Sequence, residues 1–533
     1  MTDGEVTRSG PPAPGLLRSS ALVGALTMLS RVLGLVRDIA IAAFFGAGTA
    51  ADAFFVAFKI PNFLRRLFAE GAFAQAFVPV LADYREAGSL AATKALVDRV
   101  AGMLGGTLLL ITLVTVMAAP LVAAVFAPGF VDQPAKFQLT AELIRITFPY
   151  LMLISMTGFC GAILNSYGRF AVPALTPIFL NLSLIFAAVV ASAWFAQPVF
   201  ALAWGVLFAG IIQLLFQLPS LYRLDLVPRP RWDSRDEGVK RILKLMIPAL
   251  FGVSVSQINL LLDTVLASFL PTGSVSWLYY SDRLAELPLG VFGIAVATVI
   301  LPSLSTHRAA AREEQFSITL DWALRTVLII GVPSAAALII LAEPILITLF
   351  QNGALTPGDV EMASLSLRAY SLGLIAFMLV KILAPGFYAR QDTRTPVKIG
   401  IIAMAANMVM NLAFVFPLML LWNIGHVGLA LATSLAAFLN AGLLLRGLLR
   451  QGIFRLQPGW KLHGLRLLLA TGVMCVALLV FAPDSHVWLE WSWQRRLWEM
   501  TLVCLSGVGV YVLVHALAGT RPRHLRAPVS PRR

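Results

Sequence analysis

Charged side chains recur inside stretches of this chain that are otherwise apolar and long enough to cross a membrane. The stretch SRVLGLVRDIAIAAFFGAG, which begins at Ser30, holds Arg31, Arg37 and Asp38. An ionised side chain at mid-bilayer costs roughly 2.5 to 3.5 kcal/mol even on the lenient insertion scale. These side chains must therefore face water, one another or an anionic ligand. Arginine suits a phosphate ligand because its planar guanidinium binds two oxygens at once.

The next apolar stretch, DAFFVAFKIPNFLRRLFAEGAFAQAFVPVLADY, adds a line of charges. Asp52, Lys59 and Arg66 recur at seven-residue intervals, and Glu70 follows four residues later. On a continuous helix these four side chains share one face. Arg65 projects elsewhere on an unbroken helix, but the intervening proline removes a backbone hydrogen bond and permits a kink. Both neighbouring arginines therefore remain candidates for the main anion contact.

Two later stretches carry more charges of the same kind. SWLYYSDRLAELPLG contains Arg283 and Glu286, and LVKILAPGFYARQD contains Lys381. The simpler interpretation is that neighbours such as Arg37 with Asp38, or Arg283 with Glu286, are structural ion pairs. Cations outnumber anions over the whole set, however, which favours an anionic ligand. The predicted cavity cations are Arg31, Arg37, Lys59, Arg65, Arg66, Arg283 and Lys381, and the predicted cavity anions are Asp38, Asp52, Glu70, Asp282 and Glu286.

An isolated carboxylate, Asp263 in QINLLLDTVLASF, lies within another apolar stretch. With Asn407, Asn411 and Thr433 from later stretches it could form an oxygen-lined site for a hard cation. A hydrogen-bonded core aspartate is the alternative interpretation. The three cysteines fall in apolar segments without metal-ligand spacing. We therefore expect no cofactor, and no metal site beyond this weak candidate.

Composition identifies the elements that must hold these residues. Of 533 residues, 59% are hydrophobic and 13% are charged, against about 25% charged in soluble domains. The mean hydropathy is +0.83. Apolar runs of about 20 residues cross a bilayer as helices, and this sequence predicts an all-α polytopic membrane protein with fourteen transmembrane helices. The predicted spans are 20–45, 52–82, 98–126, 140–165, 172–195, 199–220, 243–270, 275–304, 318–342, 362–388, 397–421, 427–446, 463–482 and 498–518.

A weak internal repeat groups these spans. The run that begins at Ala201 aligns with the run that begins at Gly428, which places Gln213 opposite Asn440. Repeats of this kind predict two six-helix lobes around a central cavity, and two C-terminal helices lie outside the repeat. The predicted divisions are a disordered cytoplasmic tail 1–19, an N-terminal lobe 20–222, a cytoplasmic linker 223–242, a C-terminal lobe 243–450, two further helices 451–520 and a basic cytoplasmic tail 521–533.

The placement of lysine and arginine predicts the orientation, since loops rich in these residues stay cytoplasmic. Most of them fall in alternate connections together with both termini, and the cations outside are Lys136, Arg495 and Arg496. Both termini are therefore predicted to be cytoplasmic. The same placement explains most of the net charge of +14 without nucleic-acid binding.

Four motifs together resemble the MurJ/MviN family of lipid II flippases, within the multidrug/oligosaccharidyl-lipid/polysaccharide exporter superfamily. They are SRVLGLVRD, the run from GAGTAADAFF to PVLADY, SVSWLYYSDRLAELPLGVFGIA and KILAPGFYARQDTRTPVKI. The resemblance extends over nearly the whole chain. It implies a flippase that moves undecaprenyl-pyrophosphate-linked disaccharide pentapeptide from the inner to the outer leaflet of the bacterial inner membrane. That transport would supply peptidoglycan synthesis, cell-wall biogenesis and cell shape.

The same resemblance implies roles for particular residues and helices. The required cavity arginines of the family match Arg31, Arg37, Arg65 and Arg283 here. The last two helices would form a groove for the lipid tail. We expect alternating access without catalysis, a monomer as the functional unit, and lipid II and membrane lipids as partners. The candidate drivers are the membrane potential and a monovalent cation.

Three other functions remain open from the sequence: a cation-coupled drug exporter of the same superfamily, an enzyme that acts on the same lipid carrier, and a scaffold that only binds. The excess of arginine disfavours a cavity for cationic drugs. The short loops offer no convergent acid–base or metal residues for an enzyme.

Overall fold

The structure is a computed structural model that describes residues 14–66, 73–87, 89–310 and 312–520. These residues form helices joined by turns and short loops, and no strand occurs among them. The all-α class expected from the sequence is confirmed. Glu70, the basic tail from residue 521 and most of the predicted N-terminal tail lie outside the described residues.

The chain divides into two compact units, each built from three segments. The first unit comprises Met1–Ile41, Ala57–Ala123 and Phe137–Ser254. The second unit comprises Ala42–Val56, Ala124–Lys136 and Val255–Arg533. Several helices contribute residues to both units, and the longest of these are α1 (Pro14–Phe45), α2 (Thr49–Arg65) and α10 (Glu237–Ser268).

Close helix packing in the first unit depends on small residues. On α9, a Cβ atom at Gly205 or Gly210 would lie 2.8 Å from side-chain atoms of Ala187 or Tyr150, so glycine lets this helix approach α8 and α7. Aromatic rings fill the core nearby, with Phe77 and Phe159 centroids 5.1 Å apart. The helices between α2 and α10 are α3 (Ala74–Ala87), α4 (Leu90–Met117), α5 (Ala119–Phe126), α6 (Pro134–Thr147), α7 (Tyr150–Ser166), α8 (Ala171–Val189) and α9 (Val199–Tyr222).

The second unit is organised around a long helix over Pro357–Tyr388, which packs against its neighbours at 313–340 and 425–450. A Cβ atom at Gly373 would lie 2.5 Å from Ser434 Oγ, so the backbones meet closely there. The helices are α11 (Ser274–Pro288), α12 (Ile294–Ala309), α13 (Glu313–Ile340), α14 (Ala342–Leu349), α15 (Pro357–Tyr388), α16 (Arg394–Trp422), α17 (Gly425–Arg450), α18 (Trp460–Phe481), α19 (Ser485–Glu490) and α20 (Trp493–Leu517). A π-helical turn, Leu289–Gly293, joins α11 to α12.

Ten helical segments among the described residues are long and apolar enough to cross a membrane. Each overlaps one of ten predicted spans, and the largest displacement is that of Leu90–Met117 from the predicted 98–126. The other four predicted spans correspond to α1, to α2 with α3, to α10, and to α11 with α12. Each of these carries several charged side chains within its length. Two of the four are also interrupted, because α2, α3, α11 and α12 are each only 14 to 17 residues long.

Two of the three cations predicted for the outer loops are buried. Lys136 is 2% exposed and Arg496 is 8% exposed. The Arg496 guanidinium donates to the backbone carbonyls of Trp488 at 2.8 Å, Leu489 at 2.9 Å and Gln351 at 3.0 Å. It thereby ties the start of α20 to α19 and to the turn after α14. Three hydrogen bonds from one guanidinium satisfy carbonyls that helix ends leave without partners.

Candidate functional site

Arg37 and Asp38 form a buried ion pair in the part of α1 that belongs to the first unit. Arg37 Nη2 and Nε lie 2.7 and 2.9 Å from Asp38 Oδ1. Arg37 Nη1 donates to Asn181 Oδ1 on α8 at 3.0 Å, and Asn181 Nδ2 donates to the Ser30 carbonyl at 2.9 Å. The ion pair that the sequence offered as the simpler interpretation is therefore present. An anion that binds Arg37 must compete with this carboxylate.

Arg31 differs from Arg37 although it lies on the same helix. Its side chain is half-buried. It makes no hydrogen bond or ion pair with any residue that the structure describes. No carboxylate of a described residue pairs with its guanidinium, so the charge of Arg31 is not offset there. Arg31 remains a candidate anion contact.

Arg65 lies at the end of α2 and lines a cavity of about 540 Å³ within the first unit. The cavity walls come from α2, α3, α7, α8 and α9. Arg65 itself is half-buried, whereas Arg66 and Lys59 are exposed. Of the two neighbouring arginines, Arg65 is the one that lines the cavity. Glu70, the remaining charge of that stretch, falls outside the described residues.

Amide side chains that we did not predict as site residues line the same cavity. Gln213 and Gln217 lie four residues apart on α9, and each is 1% exposed. Gln213 Nε2 donates to the Thr176 carbonyl at 2.8 Å. Within the described part of the chain, the Oε1 atoms of both glutamines have no hydrogen-bond partner. Two amides four residues apart in an apolar span are a signal that the sequence contains. The sequence analysis considered only Gln213, and only as part of the internal repeat.

Arg283 of α11 is held by an aromatic ring as well as by a carboxylate. Its Nη1 atom lies 3.3 Å from Glu286 Oε2. Its guanidinium carbon lies 4.9 Å from the centre of the Tyr279 ring, which in turn stacks on Phe55 at 4.0 Å. Both ends of the ion pair are partly exposed, at 33% and 50% of their side chains. Arg283 is therefore oriented by its neighbours while part of its charged edge stays accessible.

Asp52 requires a correction, because its contacts place it in a buried helix cap and not on a cavity surface. The side chain is 1% exposed. Asp52 Oδ2 accepts from Lys136 Nζ at 2.9 Å and from the Gly273 amide at 2.8 Å, and Oδ1 accepts from the Ser276 amide at 3.0 Å. Gly273 has a φ of 101°, a conformation that favours glycine. Asp52 therefore fixes the start of α11, the helix that carries Arg283.

Lys381 lies on α15 in the second unit. Its side chain is exposed and has no ion pair with a described residue. It remains a cation available to an anion.

The four residues of the candidate cation site come together in the second unit. Asn411 Nδ2 donates to Asp263 Oδ1 at 2.9 Å and to Asn407 Oδ1 at 3.0 Å, and Thr433 Oγ1 lies 3.4 Å from Asp263 Oδ2. The Asp263 carboxylate is thus hydrogen-bonded, as the alternative interpretation required. Asn411 Oδ1 is buried and has no hydrogen-bond partner among the described residues. The donor types fit a hard cation.

The fold is that of an established class of membrane transporters. A multidrug resistance MATE family transporter of the MOP superfamily, in an inward-facing conformation, superposes with a TM-score of 0.65 over 81% of this chain and 98% of its own, at 16% identity. At this low identity, the comparison shows a shared fold and nothing about function.

The family follows from closer relatives. Residues 41–499 match the family model described as lipid II flippase MurJ. A probable lipid II flippase MurJ of Vibrio cholerae is 51% identical over 96% of this chain and 98% of its own length. A solved structure of lipid II flippase MurJ, inward closed conformation, is 27% identical and has a TM-score of 0.78 over 93% of this chain and 98% of that chain. The chain belongs to the lipid II flippase MurJ family.

Proposed function

We propose that this protein is a flippase that carries lipid II from the inner to the outer leaflet of the bacterial inner membrane for peptidoglycan synthesis. The observation that carries this proposal is its membership of the MurJ family over nearly its whole length. The family is one of transporters, so no catalytic step on the substrate is required of these residues. Lipid II and the surrounding membrane lipids are the proposed partners, and a monomer is the proposed functional unit.

Arginines in apolar helices support a diphosphate as the group that is recognised. Arg31 has no ion pair with a described residue, Arg65 lines a cavity and Arg283 presents a partly exposed guanidinium. Arg37 is neutralised by Asp38 in this conformation. A ligand shifts a conformational equilibrium only through different affinity for the two states. We propose that the diphosphate exchanges with Asp38 at Arg37 during an alternating-access cycle, so that the anionic partner of Arg37 differs between steps.

The finer architecture belongs to the same proposal. We propose fourteen transmembrane helices, with two six-helix lobes and two C-terminal helices that accommodate the lipid tail. Both termini would be cytoplasmic, on the evidence of the lysine and arginine distribution.

The source of energy is proposed to be the membrane potential, a monovalent cation, or both. Moving one charge across 100 mV is worth about 2.3 kcal/mol. A cation could take the Asp263 carboxylate and the buried Asn411 Oδ1 as ligands. We propose no cofactor.

The flippase proposal is tested by complementation of a bacterial strain whose own lipid II flippase is depleted. With the full-length protein expressed, we expect lipid II to reach the outer leaflet, measured by its accessibility to an external enzyme that cleaves it. The control is the Arg31→Ala variant expressed at the same level. Continued accumulation of lipid II in the inner leaflet, with correctly inserted wild-type protein present, would disprove the proposal.

A further inference from the structure

The cavity in the first unit combines one cation with neutral amides. Arg65 lies at the α2 end, and Gln213 and Gln217 on α9 form part of the wall with Thr157 and Asn165. A volume of about 540 Å³ falls within the range of small-ligand pockets. This composition suits a ligand that carries an anion on one side and hydrogen-bonding groups next to it.

Gln217 has no evident structural role in this wall. Its side chain is 1% exposed and makes no hydrogen bond with the described residues. Buried polar atoms almost always have a partner, and a carbonyl oxygen without one lowers stability. Gln213 Oε1 lies four residues away in the same condition, although its amide nitrogen is bonded to the Thr176 carbonyl. The wall thus holds two buried acceptors that no described residue bonds, and a ligand with hydrogen-bond donors would suit them.

We propose that Gln217, assisted by Gln213, recognises the N-acetylated sugar that adjoins the diphosphate of the substrate. The acetamido N–H and the hydroxyl groups of such a sugar supply the donors that the two Oε1 atoms lack, while Arg65 faces the diphosphate. This inference rests on the proposed function and adds a specificity subsite to it. Gln217 would thus discriminate a sugar-bearing lipid diphosphate from the bare carrier.

The test measures binding of three lipids to the full-length protein in nanodiscs. They are undecaprenyl diphosphate, undecaprenyl diphosphate with one N-acetylglucosamine, and lipid II. For Gln217→Met, which keeps the size of the side chain, we expect about tenfold weaker binding of both sugar-bearing lipids and less than a twofold change for the bare diphosphate. The thermal midpoint of the unliganded protein should rise, because a buried unpartnered amide has been removed. A purely structural glutamine would give a lower midpoint instead.

Ser155→Ala is the matched control. Ser155 is also 1% exposed with an unpartnered Oγ among the described residues, and it lies on α7 but not among the residues that line the cavity. This variant should raise the midpoint without changing the affinity for any of the three lipids. Equal weakening of all three lipids by Gln217→Met, or no change in any, would overturn the subsite.

Two other results separate the possible failures. A loss confined to lipid II would show that the peptide is read instead of the sugar, and would also overturn the assignment. If the wild-type protein bound none of the three lipids, the proposed function itself would be overturned, and the subsite with it.

Discussion

Asp52 and Lys136 form an ion pair of 2.9 Å in which both side chains are almost completely buried. The Lys136 ammonium also lies 4.1 Å from the centre of the Phe130 ring. The carboxylate accepts from the Gly273 and Ser276 amides in addition. One buried pair thus joins α2 to α6 and to the start of α11, whose Arg283 is a candidate substrate contact.

Breaking this pair from one side should be strongly destabilising. Lys136→Met leaves a buried carboxylate without its cation, for which we expect a loss of about 3 to 5 kcal/mol in the free energy of unfolding. The measurement is reversible denaturation of the purified protein in detergent. Arg495→Met, which removes one end of an exposed pair with Glu499 at 3.9 Å, should change stability by less than about 0.5 kcal/mol. Equal effects of the two variants would contradict the structural role of Asp52.

Asp38→Asn should strengthen the binding of a diphosphate lipid. The substitution removes the carboxylate that occupies Arg37, so the ligand no longer competes with it, and we expect about tenfold higher affinity for undecaprenyl diphosphate. Export should nevertheless fall, because a lipid that is bound more tightly dissociates more slowly. Affinity is measured on the purified protein and export by outer-leaflet lipid II. Weaker binding by this variant would show that Asp38 orients Arg37 for the ligand and does not compete with it.

Substitution of Arg31 should impair export without changing the stability of the protein. Because its guanidinium has no partner among the described residues, Arg31→Ala should change the free energy of unfolding by less than about 0.5 kcal/mol, yet abolish complementation. Arg31→Lys should support partial export, since it keeps the charge but lacks the planar fork. Normal export by both variants would remove Arg31 from the mechanism.

A pH dependence is expected at the turn before α16. A hydrogen bond from the Thr395 hydroxyl lowers the pKa of Asp392 below its ordinary value of 3.8, although partial burial opposes the shift. A carboxyl whose folded pKa is depressed contributes stability above its unfolded pKa and loses it as pH falls through the folded value. Asp392→Asn should therefore lower the free energy of unfolding at pH 7, and its difference from wild type should shrink as the pH falls through the folded pKa.

Asp484→Asn is the control for that measurement, because Asp484 precedes α19 without a side-chain capping hydrogen bond. Its stability should match wild type at every pH. A difference between Asp392→Asn and wild type that grows as the pH falls would contradict the assigned sign.

Sodium dependence provides the test of the cation proposal. We expect lipid II export in inverted vesicles to slow when choline replaces sodium, and Asp263→Ala to remove that difference while keeping the potential-driven part. The same experiment with an imposed membrane potential separates the two drivers. Sodium-dependent export that survives Asp263→Ala would rule out this site.

The sequence by itself determined the membrane-helical class, the approximate extent of ten long apolar helices and the segments that carry unusual charge. It did so because burial in a bilayer imposes length and polarity on every spanning segment, and each violation stands out in the chain. The partners of those charges were decided by tertiary structure. Asp52 shares a helical face with Lys59, but its cation is Lys136, and its backbone donors lie at the start of α11.

For the same reason, the sequence did not predict a role for the glutamines of α9. Helical periodicity shows that Gln213 and Gln217 share a face, but it does not show whether a donor from another helix meets that face. Hydrogen bonds and ion pairs act over a few ångströms between residues far apart in the chain. Only the packing of α7, α8 and α9 places the Gln217 carbonyl beside a cavity without a hydrogen-bond partner among the described residues, and makes it a candidate for recognition.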